Sequence, residues 1–195
     1  MAIKKLLESI GNEKIKSITI VRTPLSSLIT TVANLTSQGD FQKAVSNKGY
    51  DTLFHLSLWI NNKYNLEKNE KPSLTTVSPI KSNSQTKMVN IIPNNLTFNT
   101  LIDRTKRYMG SSFDDYNFET NNCQDFLLAI LNSNRIGNPD DRKFIKQDIS
   151  TIVKTIPSLW KTIGNIGTKV AGFFHKMVYG DGRNPVMNKN TQLRF

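Results

Sequence analysis

Apolar and polar side chains alternate along residues 53–60, Leu-Phe-His-Leu-Ser-Leu-Trp-Ile, so Phe54, Leu56, Leu58 and Ile60 share one face and His55, Ser57 and Trp59 the other. A period of two predicts a strand. Asn61-Asn62-Lys63 follows as a hairpin-like connection into a second strand at 64–69, on which Asn65, Glu67 and Asn69 share a face. Residues 17–22, Ser-Ile-Thr-Ile-Val-Arg, have the β-branched content of another strand, and two more are expected at 74–79 and 86–92. The middle of the chain therefore reads as an antiparallel sheet.

Helical spacing governs the remainder. Thr23 reads as an N-cap with Pro24 at the first helical position, ahead of Leu25, Leu28, Ile29, Val32 and Leu35, with Gly39 as the stop. A helix is expected from about Phe98 to Tyr108, ending at Met109-Gly110. The polar loop 111–121 then leads to Asn122, an N-cap for a helix over 123–133. After Pro139, apolar residues from Phe144 to Phe174 recur every three or four positions, a helical stripe broken by Pro157 and by glycines at 164, 167 and 172. The pattern predicts an α+β chain. Residues 1–139 form a domain of antiparallel sheet packed by helices with an N-terminal helical extension, and residues 140–195 a C-terminal amphipathic helical tail.

Charge separates these parts further. The 195 residues suffice for one domain with a real core, and their net charge is +11. Residues 151–195 hold seven Lys/Arg against Asp181 alone, whereas 101–150 are nearly balanced. A basic tail suits nucleic acid, anionic lipid or an acidic protein. Lys154, Lys161, Lys169 and Lys176 fall seven or eight residues apart, on one side of a helix that also carries Trp160, Phe173 and Phe174. This pattern favours an interfacial helix on an anionic membrane surface, with Trp160, Lys161, Lys169, Phe173, Phe174 and Lys176 as membrane or partner contacts. Nucleic acid fits less well, because the tail has no Arg cluster or aromatic platform. Core helices closing the domain are the plainer alternative. The N-terminus meets charge before any apolar run develops, so no signal peptide is expected, and no run reaches the roughly 20 apolar residues of a transmembrane helix.

The candidate chemistry centres on Cys123, the only cysteine, which cannot close an intramolecular disulfide. A lone cysteine is by default a small buried hydrophobe. At a helix N-terminus, however, the helix dipole favours the thiolate. His55, central in its strand, is the candidate base, and Glu67 on the next strand would orient it. The Cys123 backbone N–H would donate to an oxyanion beside the Asn122 cap. The other histidine, His175, lies in the cationic tail and is a poor base. Each residue also has a plainer role. His55 suits a half-buried strand position, Glu67 could pair with Lys63 or Lys68, and Asn122 could be an N-cap alone. No metal or cofactor is called for.

A histidine in a strand, a polar residue twelve positions on, and a later Asn-Cys opening a helix resemble the circularly permuted papain-like fold. Its best-known members are the lecithin:retinol acyltransferase-like enzymes and the phospholipase A/acyltransferases. Their helix begins Asn-Cys-Glu-His-Phe, and this chain has Asn122-Cys123-Gln124-Asp125-Phe126. The histidine precedes the cysteine, the reverse of papain. The likeness covers about residues 50–134. Over about 20–150, the runs Tyr50–Leu56, Leu66–Glu70, Asn121–Phe126 and Phe144–Asp148 resemble proteins of Polinton-like mobile elements and large DNA viruses. Together the resemblances imply a virus-encoded, cysteine-dependent acyl-transfer enzyme of the virion or host cytoplasm, acting on a lipid ester or other acylated substrate. A peptidase using the same dyad is one alternative. A non-catalytic virion component whose tail binds capsid proteins or membrane is another.

Overall fold

The computed structural model describes residues 3–24, 54–117 and 120–147. Five strands, β1 (Ile18–Pro24), β2 (Phe54–Ile60), β3 (Tyr64–Lys68), β4 (Pro72–Thr75) and β5 (Gln85–Met88), pair antiparallel in the order β4-β3-β2-β1-β5. Helices α1 (Ile3–Ile10), α2 (Phe98–Met109), α3 (Cys123–Asn134) and α4 (Pro139–Ile145) accompany the sheet, with a 3-10 turn at Gly110–Phe113. The described residues are thus α+β, a five-stranded antiparallel sheet packed by helices. No described helix is long and apolar enough to cross a membrane.

The β2–β3 hairpin sets the frame. Asn61 and Asn62 adopt φ of 54° and 53°, the left-handed pair that a tight hairpin turn needs and that asparagine tolerates. The Lys63 N–H closes the turn on the Ile60 carbonyl at 3.0 Å. The Asn61 side chain also accepts from the amides of Lys16 (2.7 Å) and Ser17 (3.2 Å), tying the segment ahead of β1 to the turn.

Ile18, Ile20, Leu56, Leu58, Leu66 and Leu74 from the sheet share one fully buried core with Phe98, Leu101, Phe126, Leu127 and Ile130 from α2 and α3. Burying each such side chain is worth about 1.5–3 kcal/mol. Thr97 caps α2 and Gly110, at φ 59°, ends it. Asn138 caps α4 with Pro139 at its first turn, the arrangement that proline's fixed φ and missing N–H suit.

Several expectations shift. Thr23 and Pro24 do not start a helix. They finish β1, where Thr23 pairs with His55 and Pro24 with Phe54. Continued pairing with β2 outweighs the local capping preference, and β5 pairs with β1 only as far as Arg22, so Pro24 has an edge position on that side, where a missing N–H is tolerated. The helix expected over 25–39 lies outside the described residues. β4 and β5 are shorter and earlier than the expected 74–79 and 86–92, and β5 adds to the free edge of β1 rather than beside β4. Of the helical stripe expected from Asp140, the described part is α4, which ends at Ile145 where Lys146 turns extended. Helix α4 packs on α3 and β1 and buries Ile145, so the packed domain runs beyond 139 to at least Gln147. The rest of the tail lies outside the described residues, including Trp160, Lys161, Lys169, Phe173, Phe174, His175 and Lys176.

Candidate active site

The hairpin register pairs Ser57 with Glu67 and Trp59 with Asn65, so Glu67 sits diagonally across from His55 on one face. His55 Nε2 and Glu67 Oε2 lie 3.1 Å apart, and Glu67 has no exposed surface. An ionised carboxylate only accepts, so Nε2 points its hydrogen at Glu67 and Nδ1 is the nitrogen left for another partner. Glu67 Oε1 is held in turn by the Asn69 amide at 3.1 Å. That second contact fixes the carboxylate that fixes the imidazole.

Cys123 opens α3, which packs over β2 and β3. Asn122 Oδ1 accepts from the amides of Gln124 (2.8 Å) and Asp125 (3.4 Å), while Asp125 Oδ2 accepts from the Asn122 amide (3.1 Å). This reciprocal box satisfies the first-turn donors around the cysteine. The Cys123 amide is not among the cap's partners, so it stays the candidate oxyanion donor. The Cys123 side chain hydrogen-bonds His55. Burial alone would pull the His55 pKa down from its ordinary 6.5. Interactions with the Cys123 and Glu67 side chains outweigh burial and raise it to about 10. At neutral pH the imidazole is therefore a cation between two acidic groups.

Two further connections hold the carriers of this pair. The Phe54 amide, next to His55, donates to Gln147 Oε1 at 3.1 Å, and the Gln147 amide donates to Gln124 Oε1, next to Cys123, at 2.7 Å. Gln147 thus ties the start of β2 to the first turn of α3. On β3, Lys68 leaves the sheet on the side opposite Glu67, as successive strand residues must. Its buried Nζ donates to the Ser112 carbonyl (2.7 Å) and Asn121 Oδ1 (2.9 Å). Asn121 Nδ2 donates to the carbonyls of Ser112 (2.8 Å) and Asp115 (2.7 Å). Burial lowers the Lys68 pKa to about 8 against the pull of Asp115, Asp125 and Asp114. Lys68 thereby pins the loop that delivers the chain to Cys123.

The four residues expected here, Cys123, His55, Glu67 and Asn122, come together at one place. Lys68 turns away from Glu67, and Lys63 lies over the Tyr64 ring at 4.9 Å. Sequence reasoning gave no role here to Gln124, Gln147 or Tyr116, and named Lys68 only as a partner for Glu67. The Tyr116 hydroxyl is pushed well above its ordinary pKa by burial, with the charges of Cys123 and Asp125 adding to it. It stays a neutral phenol in the field of the thiol. Strand parity alone would have separated Lys68 from Glu67; the Gln124–Gln147 contact left no local trace. Among the described residues, no three His, Cys, Asp or Glu side chains gather to hold a metal ion.

No protein-family model, curated protein or solved structure matches the chain.

Proposed function

We propose that this chain is a cysteine-dependent acyl-transfer enzyme on a permuted papain-like domain, with Cys123 as nucleophile, His55 as proton carrier and Glu67 as the carboxylate that orients it. The observation that carries this reading is the buried His55, bonded to Cys123 on one side and to Glu67 on the other at the N-terminus of α3. An imidazolium beside a cysteine is the partner a thiolate needs. In the first step the Cys123 sulfur bonds to the carbonyl carbon of an ester or amide. The carbon–leaving-group bond breaks, and the His55 proton goes to the departing alkoxide or amine. In the second step neutral His55 takes a proton from water or another acceptor, which attacks the thioester. The acid or new ester leaves, and the thiolate–imidazolium pair is restored. A lipid ester is the favoured substrate, on the family resemblance and the cationic tail.

The test pairs alkylation with turnover. At about pH 6, where a free thiol is nearly all protonated, iodoacetamide should modify Cys123 about tenfold faster than free cysteine. Cys123→Ala should abolish hydrolysis of a fluorogenic phospholipid or short-chain ester. Alkylation no faster than free cysteine, with hydrolysis intact in Cys123→Ala, overturns the reading.

A further inference from the structure

Twelve residues past Cys123, α3 ends at Arg135, whose φ of 55° is a left-handed conformation costly for a side chain with a Cβ. At 1.5 Å per residue that end lies about 18 Å from the thiol. A cavity of about 470 Å³ opens there, lined by Arg104, Arg107, Tyr108, Ser133 and Arg135. Arg104 and Arg107 stand three residues apart on α2 and so share a side of that helix. Arg135 arrives from α3. The two helices are locked together beneath the cavity, where Thr105 Oγ1 lies 3.2 Å from Ser133 Oγ and Asn134 Nδ2 donates to the Leu101 carbonyl at 3.2 Å.

Among the described residues, no carboxylate lines this cavity and none of the three guanidiniums has a hydrogen-bond or ion-pair partner. The negative end of each helix dipole accounts for Arg107 in the last turn of α2 and Arg135 at the cap of α3. It does not account for their convergence with Arg104 on one concavity, where like charges repel. Guanidinium forks match phosphate oxygens two at a time. The phenol of exposed Tyr108 adds a neutral donor at the rim. The volume falls within the range of small-molecule sites and exceeds what a bare phosphate fills.

We propose that this cavity is a binding site for the phosphate group of a phosphorylated small molecule or lipid headgroup, separate from the Cys123 centre. It needs no catalysis at Cys123, and Cys123→Ser should leave it intact.

Binding is measured on the full chain by calorimetry with inorganic phosphate and glycerol 3-phosphate, and by flotation on phosphatidylcholine vesicles with and without phosphatidic acid. Saturable phosphate binding is expected, weakened about tenfold for each arginine removed. It should be lost in Arg104→Gln/Arg135→Gln and in Arg104→Gln/Arg107→Gln. The second variant leaves the strained cap untouched, so a folding defect at Arg135 cannot mimic the result. Binding of the soluble phosphates alone assigns a soluble ligand. Additional arginine-dependent flotation on phosphatidic acid assigns a headgroup. Three outcomes overturn the proposal: binding unchanged in both variants, equal displacement by chloride at matched ionic strength, or arginine-dependent binding of an oligonucleotide with none of either phosphate.

Discussion

At its N-terminal end α3 meets His55, Glu67 and Lys68, all buried and each hydrogen-bonded to named groups. At its C-terminal end it meets Arg104, Arg107 and Arg135, all exposed and without a partner among the described residues. The same helix thus carries two opposite treatments of charge. Burying an ion costs several kcal/mol unless partners are fixed in advance, so charge at the first end is committed to holding geometry. Charge at the second end holds nothing inside the molecule and is available to something outside it. A charged residue's role is therefore read better from what it is bonded to than from its type.

The largest break in this contrast should come from Glu67→Gln, which leaves the His55 cation without its carboxylate. We expect a loss of about 3 kcal/mol or more in denaturant unfolding at neutral pH. The same change should move the alkaline limb of ester hydrolysis down from about pH 10 toward neutrality, read from a pH–rate profile.

Lys68→Met comes next. It strips the donor from the Ser112 carbonyl and Asn121 Oδ1, for an expected loss of about 1–3 kcal/mol near pH 10, where the cost of burying the charge has faded. The pH dependence separates the two buried cations. His55 is raised from 6.5 to about 10, so its stabilisation is full below pH 6.5 and lost as pH rises through 10. Lys68 is lowered from 10.5 to about 8, so its burial costs stability below pH 8 and the cost fades toward 10.5. Unfolding free energy in the unaltered chain should therefore fall from pH 6.5 to 8 and level off up to 10, where the two slopes oppose. Lys68→Met should make the fall continuous to pH 10. A plateau that survives this substitution counts against Lys68 as its source.

Smaller effects compare the helix ends directly. Asn122→Ala removes the cap's side-chain acceptor and should cost about 1 kcal/mol by chemical denaturation. Arg135→Gly should instead stabilise by about 0.5 kcal/mol, because glycine takes the left-handed cap without strain. A loss at Arg135 of the same size as at Asn122 would mean that the two ends are not different in kind.

The residues of the centre were legible because their signals are local. Period-two alternation put His55 and Glu67 on matching faces of neighbouring strands, and Asn122 ahead of an apolar run marks a helix start. What was not legible depended on partners far along the chain. Thr23-Pro24 has the form of a helix start, but its fate was decided by Phe54 and His55 across the ladder. β5 chose the edge of β1 rather than the strand before it, a choice between two edges that composition does not rank. Lys68 beside Glu67 suggested an ion pair, and only the sheet's geometry sends one to the imidazole and the other to the loop. The arginine cavity is similar, since Arg104 and Arg135 become neighbours only when α2 packs on α3.

The Gln147 tie also bears on the order of assembly. Its two contacts span 93 residues to Phe54 and 23 to Gln124, closures that are slow compared with forming α3 or the β2–β3 hairpin. A growing chain can thus complete its hairpin and wind its cysteine helix before the two are fastened together. The fastening must wait until residue 147 has been made. Core packing of α3 on the hairpin can bring the thiol near its imidazole earlier, and the Gln147 clasp over that pair is closed only by the last described residue.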